Sequence, residues 1–150
     1  MAHDTIFVKD VFRTRGTHCI IVDEEEPFKE IITLFTRKSH YRDIFVVNKR
    51  KKLIGIISRS DLLNWARFKL GIGTEGHTPS IDEIQRFVFS TTAKDVMNKE
   101  THNIHVSPED SIITAMDIMV SSDLIDIPVI DKEGKILGDI TLTEIMLHLL

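Results

Sequence analysis

The chain repeats itself. Thr17-His18-Cys19-Ile20-Ile21-Val22 returns as Thr101-His102-Asn103-Ile104-His105-Val106, and Asp43-Ile44-Phe45-Val46-Val47 as Asp126-Ile127-Pro128-Val129-Ile130. Leu53-Ile54-Gly55-Ile56-Ile57-Ser58 returns as Ile136-Leu137-Gly138-Asp139-Ile140-Thr141, and Lys9-Asp10-Val11-Phe12 as Lys94-Asp95-Val96-Met97. The offsets are 83 to 85 residues and the blocks keep one order. A duplication restricts the chain to architectures in which one unit is used twice.

Each copy reads as strand, helix, strand, strand, helix. The first extended segment is Cys19–Val22 or Asn103–Val106. A helix start is expected at Asp23-Glu24-Glu25-Glu26 and at Ser107-Pro108-Glu109-Asp110, where carboxylates face the helix dipole and Pro stands at a first helical position. Phe28, Ile31, Ile32 and Phe35, then Ile112, Ala115, Met116 and Met119, recur at helical spacing. Two short β-branched strands follow in each copy, separated by turns at 48–52 and 131–134, and a closing helix starts at Ser58 and at Thr141. One copy of about 55–60 residues is too small for a generous core, so the two must share one. The expectation is an α+β module of two pseudo-symmetric βαββα repeats packed through three-stranded sheets.

The copies occupy residues 5–65 and 92–150. Residues 66–91 fit neither and read as an insertion, a Gly-rich loop with a mobile tip followed by a capped helix from Ser80 toward Phe89. The net charge of −4 and pI near 6.0 lack the basic footprint of a nucleic-acid binder. One cysteine rules out an internal disulfide framework and fits a reducing compartment. No run of about 18 apolar residues offers a membrane span and no signal peptide is visible, so a cytoplasmic location is expected.

These motifs resemble the CBS domain family over nearly the whole chain. The resemblance rests on Lys94-Asp95-Val96-Met97, on Ile127-Pro128-Val129-Ile130-Asp131 and on Gly55-Ile56-Ile57-Ser58-Arg59-Ser60-Asp61-Leu62, each echoed in the other copy. It implies a regulatory module that binds an adenosine-containing ligand (AMP, ADP, ATP or an S-adenosyl compound) between the repeats. It further implies a homodimer that reports to an unidentified protein partner, with no required cofactor and no catalysis.

The resemblance also places the ligand. Ser58 and Asp61 would serve phosphate and ribose, since a carboxylate can accept bonds from two vicinal hydroxyls and a helix start favours an anion. Asn103 and Ile104 would meet the adenine, and Leu124, Ile125 and Asp126 would close the other wall. Arg42 stands where a phosphate-binding base is common, or else pairs with Asp43 or Asp126. The second site would use Thr141, Glu144, Cys19, Ile20, Tyr41 and Arg42. It departs from the family pattern at Glu144, whose added methylene pushes the carboxylate into the ribose position. Asp126 would repel phosphate, and Phe45, in place of the Pro at 128, would widen or block a wall. These departures support an alternative reading, a structural or dimerisation module with degenerate ligand sites.

Other signals carry less. His102-x-x-His105 on an extended segment would point to opposite faces, so no metal is expected. Cys19 reads as a small packed residue. Gly71-x-Gly73-x-x-Gly76 lacks the βαβ context of a dinucleotide loop. Trp65 and Phe68 either cover the core or present a partner face.

Overall fold

A computed structural model of the chain describes residues 6–14, 19–37, 43–71, 80–88 and 91–150. The strands are β1 (Arg13–Thr14), β2 (Ile20–Asp23), β3 (Asp43–Val47), β4 (Leu53–Ser58), β5 (Asp126–Ile130) and β6 (Ile136–Thr141). The helices are α1 (Phe28–Arg37), α2 (Arg59–Lys69), α3 (Ile81–Val88), α4 (Ala93–Val96), α5 (Ile112–Ser122) and α6 (Leu142–Leu149). Two three-stranded sheets form, in the orders β2-β3-β4 and β1-β6-β5. In the first, β2 runs parallel to β3 and β3 antiparallel to β4. In the second, β5 and β6 form the matching hairpin.

The expected α+β architecture with pseudo-symmetric repeats is what the chain adopts. The central strands explain its layering. All five residues of β3 are buried, so both faces of that strand are covered. Ile44 and Val46 enter a first core with Ile31 and Ile57, while Phe45 and Val47 face a central cluster with Ile56 and Ile136. Alternation along a strand produces this division. β5 does the same for a second core, where Ile127 and Val129 meet Ile112, Ile140 and Ile145.

The segments that lead into each repeat cross over. Val8–Asp10 form a 3-10 turn whose Val8 is fully buried in the second core. Val8 N–H donates to Asp110 O at 2.7 Å, Lys9 N–H to Pro108 O at 2.9 Å, and β1 then pairs antiparallel with β6. In mirror fashion α4 inserts Ala93, Val96 and Met97 into the first core, while Ala93 and Lys94 donate their N–H groups to Glu26 O and Glu24 O. Gly55 makes room for this crossing: a Cβ there would lie 2.6 Å from Met97 Sδ.

The crossing corrects three details read from sequence. α1 starts at Phe28, not at the acidic run, and α5 starts at Ile112 with Ser111 as its N-cap, not at Ser107. The intervening residues form turns whose carbonyls are taken by the opposite lead-in, and Phe28 N–H and Ile112 N–H donate to Thr91 O and Ile6 O. Asn103–Val106 is not a strand either. Lys99–Asn103 is a 3-10 helix, and only Val106 pairs with β5, in parallel to Val129. The third strand of that sheet is instead β1, from the other repeat.

In the insertion, α3 starts after Ser80, whose Oγ accepts Glu83 N–H at 3.1 Å. The Gly-rich stretch 72–79 lies outside the described residues, as do Tyr41, Arg42 and Phe89. Gly71, with φ of +67°, follows the end of α2 as a left-handed stop. Trp65 and Phe68 cover the core: Trp65 meets Phe28 edge-on at 5.0 Å, and Phe68 meets the buried Phe87 of α3 at 5.9 Å.

Candidate functional site: the crevice between the sheets

The two closing helices start alike. At α2, Asp61 Oδ2 accepts Ser58 N–H at 2.9 Å and Ser58 Oγ–H at 3.1 Å, and Ser58 Oγ accepts Asp61 N–H. At α6, Glu144 Oε1 accepts Thr141 N–H at 3.2 Å and Thr141 Oγ1–H at 2.8 Å. Both are reciprocal capping boxes, which satisfy donors a helix start leaves open. The longer Glu144 side chain therefore reaches the same cap as Asp61.

What separates the two is Arg86, a residue with no counterpart in the repeat. From α3 its Nη2 lies 2.9 Å from Asp61 Oδ1, with both side chains almost buried at 13% and 14% exposure. The same nitrogen donates to Val96 O at 2.8 Å, and the guanidinium lies over the Phe87 ring at 5.2 Å. The insertion thus places a cation on the carboxylate expected to hold ribose. A groove of about 680 Å³ is lined by Arg86 together with Ile54, Gln85, Met97, Asn98 and Lys99. Asp61 is not part of its lining.

The opposite repeat reaches this place through Thr101. Its Oγ1 accepts Ile56 N–H at 2.7 Å and also engages Asn98 O, and Asn98 pairs with Ile56. Sequence reasoning passed over Thr101 as a site residue, although Thr-His opens the same block in both repeats. Asn103 is exposed at the end of its 3-10 helix. Ile104 and Leu124 are half-buried and pack on the central cluster, as does Cys19. Ile125 is 40% exposed. Ile20 points away from the crevice into the first core, as the alternation along β2 requires.

Two of the buried aspartates stand at matching positions, at the starts of the central strands. Asp43 opens β3 directly across from Ser58, and Asp126 opens β5 directly across from Thr141. Each is 4% exposed. The Asp126 side chain and the backbone N–H of Arg59 both lie against the Asp43 carboxyl. Burial pushes the Asp43 carboxyl above its usual 3.8, and the nearby Asp61 charge adds to this. The Asp126 side chain, the Arg59 N–H and the Arg59 charge oppose it.

The sign of the linked stability follows. As pH rises above 3.8, the unfolded chain releases the Asp43 proton before the folded chain does. The folded state then binds more protons, so stability falls until pH passes the raised folded value. Asp43→Asn keeps an acceptor for Arg59 N–H and supplies a donor to Asp126. It is expected to flatten this decline and to be more stable than the parent at neutral pH. Urea unfolding of both proteins at about pH 4.5 and about pH 7.5 measures it.

Among the described residues no cluster of three His, Cys, Asp or Glu could hold a metal. His102 is exposed with Nδ1 on Lys99 O, and burial lowers the pKa of His105 against the pull of Asp110 and with the push of His102. No helix among the described residues is long and apolar enough to cross a membrane.

Two crossed βαββα units packed through their sheets define a tandem-repeat α+β architecture, and the comparisons agree with it. The CBS domain family model matches residues 8–67 and 93–150, and the chain belongs to that family. A CBS domain-containing protein of Thermotoga maritima is 25% identical with a TM-score of 0.77, over 98% of this chain and 96% of that one. CBSX2, solved in complex with AMP, is 17% identical with a TM-score of 0.73, over 96% of each chain. An uncharacterized protein of Methanocaldococcus jannaschii is 27% identical over 92% of this chain and 88% of its own length. CBS domain proteins are in general regulatory, and no catalytic family is matched.

Proposed function

We propose that the chain is a regulatory module that binds an adenosine-containing ligand in the crevice and passes the binding event to a separate protein. The observation that carries this reading is the Ser58–Asp61 cap at the start of α2, at the end of the strand whose Ile56 N–H is held by Thr101 of the other repeat. That juxtaposition offers ribose a carboxylate and adenine a wall of backbone and Ile104. CBSX2, which shares the fold, holds AMP.

Arg86 gives the module a way to respond. Ribose hydroxyls and the guanidinium compete for Asp61 Oδ1, so ligand binding favours states in which Arg86 has let go. Arg86 belongs to α3, and release alters the seating of that helix. A homodimer belongs to the same proposal: Leu63 on α2 and Met146 and Leu147 on α6 leave apolar area exposed for it. A cytoplasmic setting is consistent with the single free thiol of Cys19.

Thermal unfolding with and without adenosine, AMP, ATP and S-adenosylmethionine tests the reading. A ligand at about a hundred times its Kd adds about 2.7 kcal/mol, roughly 5–11 °C for a chain of this size. Asp61→Ala is expected to abolish the shift. If none of the compounds moves the transition, the second reading holds, that of a structural module with degenerate sites. The occupation of Asp61 by Arg86 and the burial of two carboxyls at the starts of β3 and β5 favour that alternative.

A further inference from the structure

We propose that Arg86, on the helix between the repeats, reads the ligand's phosphate: when ribose takes Asp61, the displaced guanidinium passes to the 5′-phosphate of the same ligand, so the site prefers AMP to adenosine. The inference rests on the reading of Asp61 as a ribose-binding carboxylate. It adds which member of the ligand class is preferred, and the residue that chooses it.

Charge decides the preference. Arg86 and Asp61 form an ion pair at 2.9 Å with side chains 13% and 14% exposed. Ribose hydroxyls would satisfy the carboxylate but carry no charge. The guanidinium would lose the nearer of the carboxylates it faces while still almost buried, a costly state for a cation. Asp82, one turn back on α3, would remain at 3.7 Å from Nη1, but it is 77% exposed. A pair with so exposed a partner contributes little. A 5′-phosphate restores the lost anion, and its oxygens match the planar guanidinium fork.

The packing keeps Arg86 in reach of that exchange. Val96 O accepts from Nη2 at 2.8 Å and from Nε at 3.3 Å, and the Phe87 ring lies 5.2 Å from the guanidinium. None of these holds involves Asp61, so release from the carboxylate leaves the guanidinium tethered beside it. Arg86 also lines the groove of about 680 Å³, whereas Asp61 does not. The guanidinium therefore stands between the open groove and the carboxylate. Glu24, Asp82 and Glu100 line the same groove, which limits the gain to a group that Arg86 contacts directly.

Calorimetric titration of the full chain with adenosine and with AMP, in the parent and in Arg86→Gln, tests the proposal. The parent is expected to bind AMP at least about tenfold more tightly than adenosine. In Arg86→Gln adenosine should bind more tightly, because the competitor for Asp61 has gone. The preference for AMP should fall about fivefold or more. A merely structural Arg86 would shift both ligands alike, so an unchanged ratio in folded Arg86→Gln overturns the inference. Adenosine binding as tightly as AMP to the parent overturns it too, and either result leaves the adenosine site standing. Arg86→Lys keeps the charge and should keep part of the preference; it decides the matter together with the parent ranking if Arg86→Gln does not fold. Failure of both ligands to bind the parent would remove the ribose reading of Asp61 and this inference with it.

Discussion

Deletion of residues 1–12 is expected to unfold the carboxyl half of the chain before the amino half. In sequence those residues lead into the first repeat, but the side chains of Ile6, Val8, Val11 and Phe12 complete the second core. Val8 is 0% exposed there, and Ile6, Val11 and Phe12 pack against the same cluster. A fully buried aliphatic side chain contributes about 1.5–3 kcal/mol, and half-buried ones less, so the four together contribute several. A domain of this size has about 5–15 kcal/mol in total. The deletion also removes the acceptor of Ile112 N–H at the start of α5 and the donors to Asp110 O and Pro108 O. Hydrogen exchange reads the outcome. Amides of α5, β5 and β6 should lose protection while those of β2, β3 and β4 keep more of theirs. Earlier loss in β2–β4 would mean that the lead-in stabilises its own repeat, contrary to the packing.

That crossing marks where sequence reasoning stops. Periodicity and duplication suffice for the hairpins, the closing helices and their capping boxes, because each is set by neighbours within a few residues. The turns are legible for the same reason: Asn48 Oδ1 accepts the N–H groups of Arg50 and Lys52, and Asp131 Oδ1 those of Glu133 and Lys135. Helix starts are harder. An acidic run looks like an N-terminus, yet Glu24 and Glu26 give their carbonyls to α4, far away in sequence, and the helix waits until Phe28. In the crevice, Ser58 and Asp61 are visible as a motif. Arg86 lies outside the repeat, so no internal comparison could point to it. The contact of Asp43 with Asp126 is likewise a consequence of the twofold packing, although their matching positions at the start of β3 and β5 stand plainly in the sequence.

Phe45→Ala is expected to cost about 3–5 kcal/mol, the usual range for a buried aromatic whose cavity cannot collapse. The position admits two readings from sequence, a wall that widens a pocket or one that blocks it, because repeat 2 carries Pro128 there. The packing decides between them. Phe45 is 0% exposed, and its neighbours Val47, Ile56 and Ile136 come from both sheets, so the ring fills the centre of the module and does not line an opening. Ile56 also carries the backbone N–H that Thr101 Oγ1 accepts, which ties the same cluster to the crossing segment. Loss of the ring should therefore lower the urea midpoint steeply and loosen the seat of Thr101 together with the sheet interface. Phe45→Leu retains most of the apolar volume and should lose much less. If Phe45→Ala unfolded within about 1 kcal/mol of the parent, the side chain would have to lie against open space, and the two sheets would not share the core that places Asp43 against Asp126.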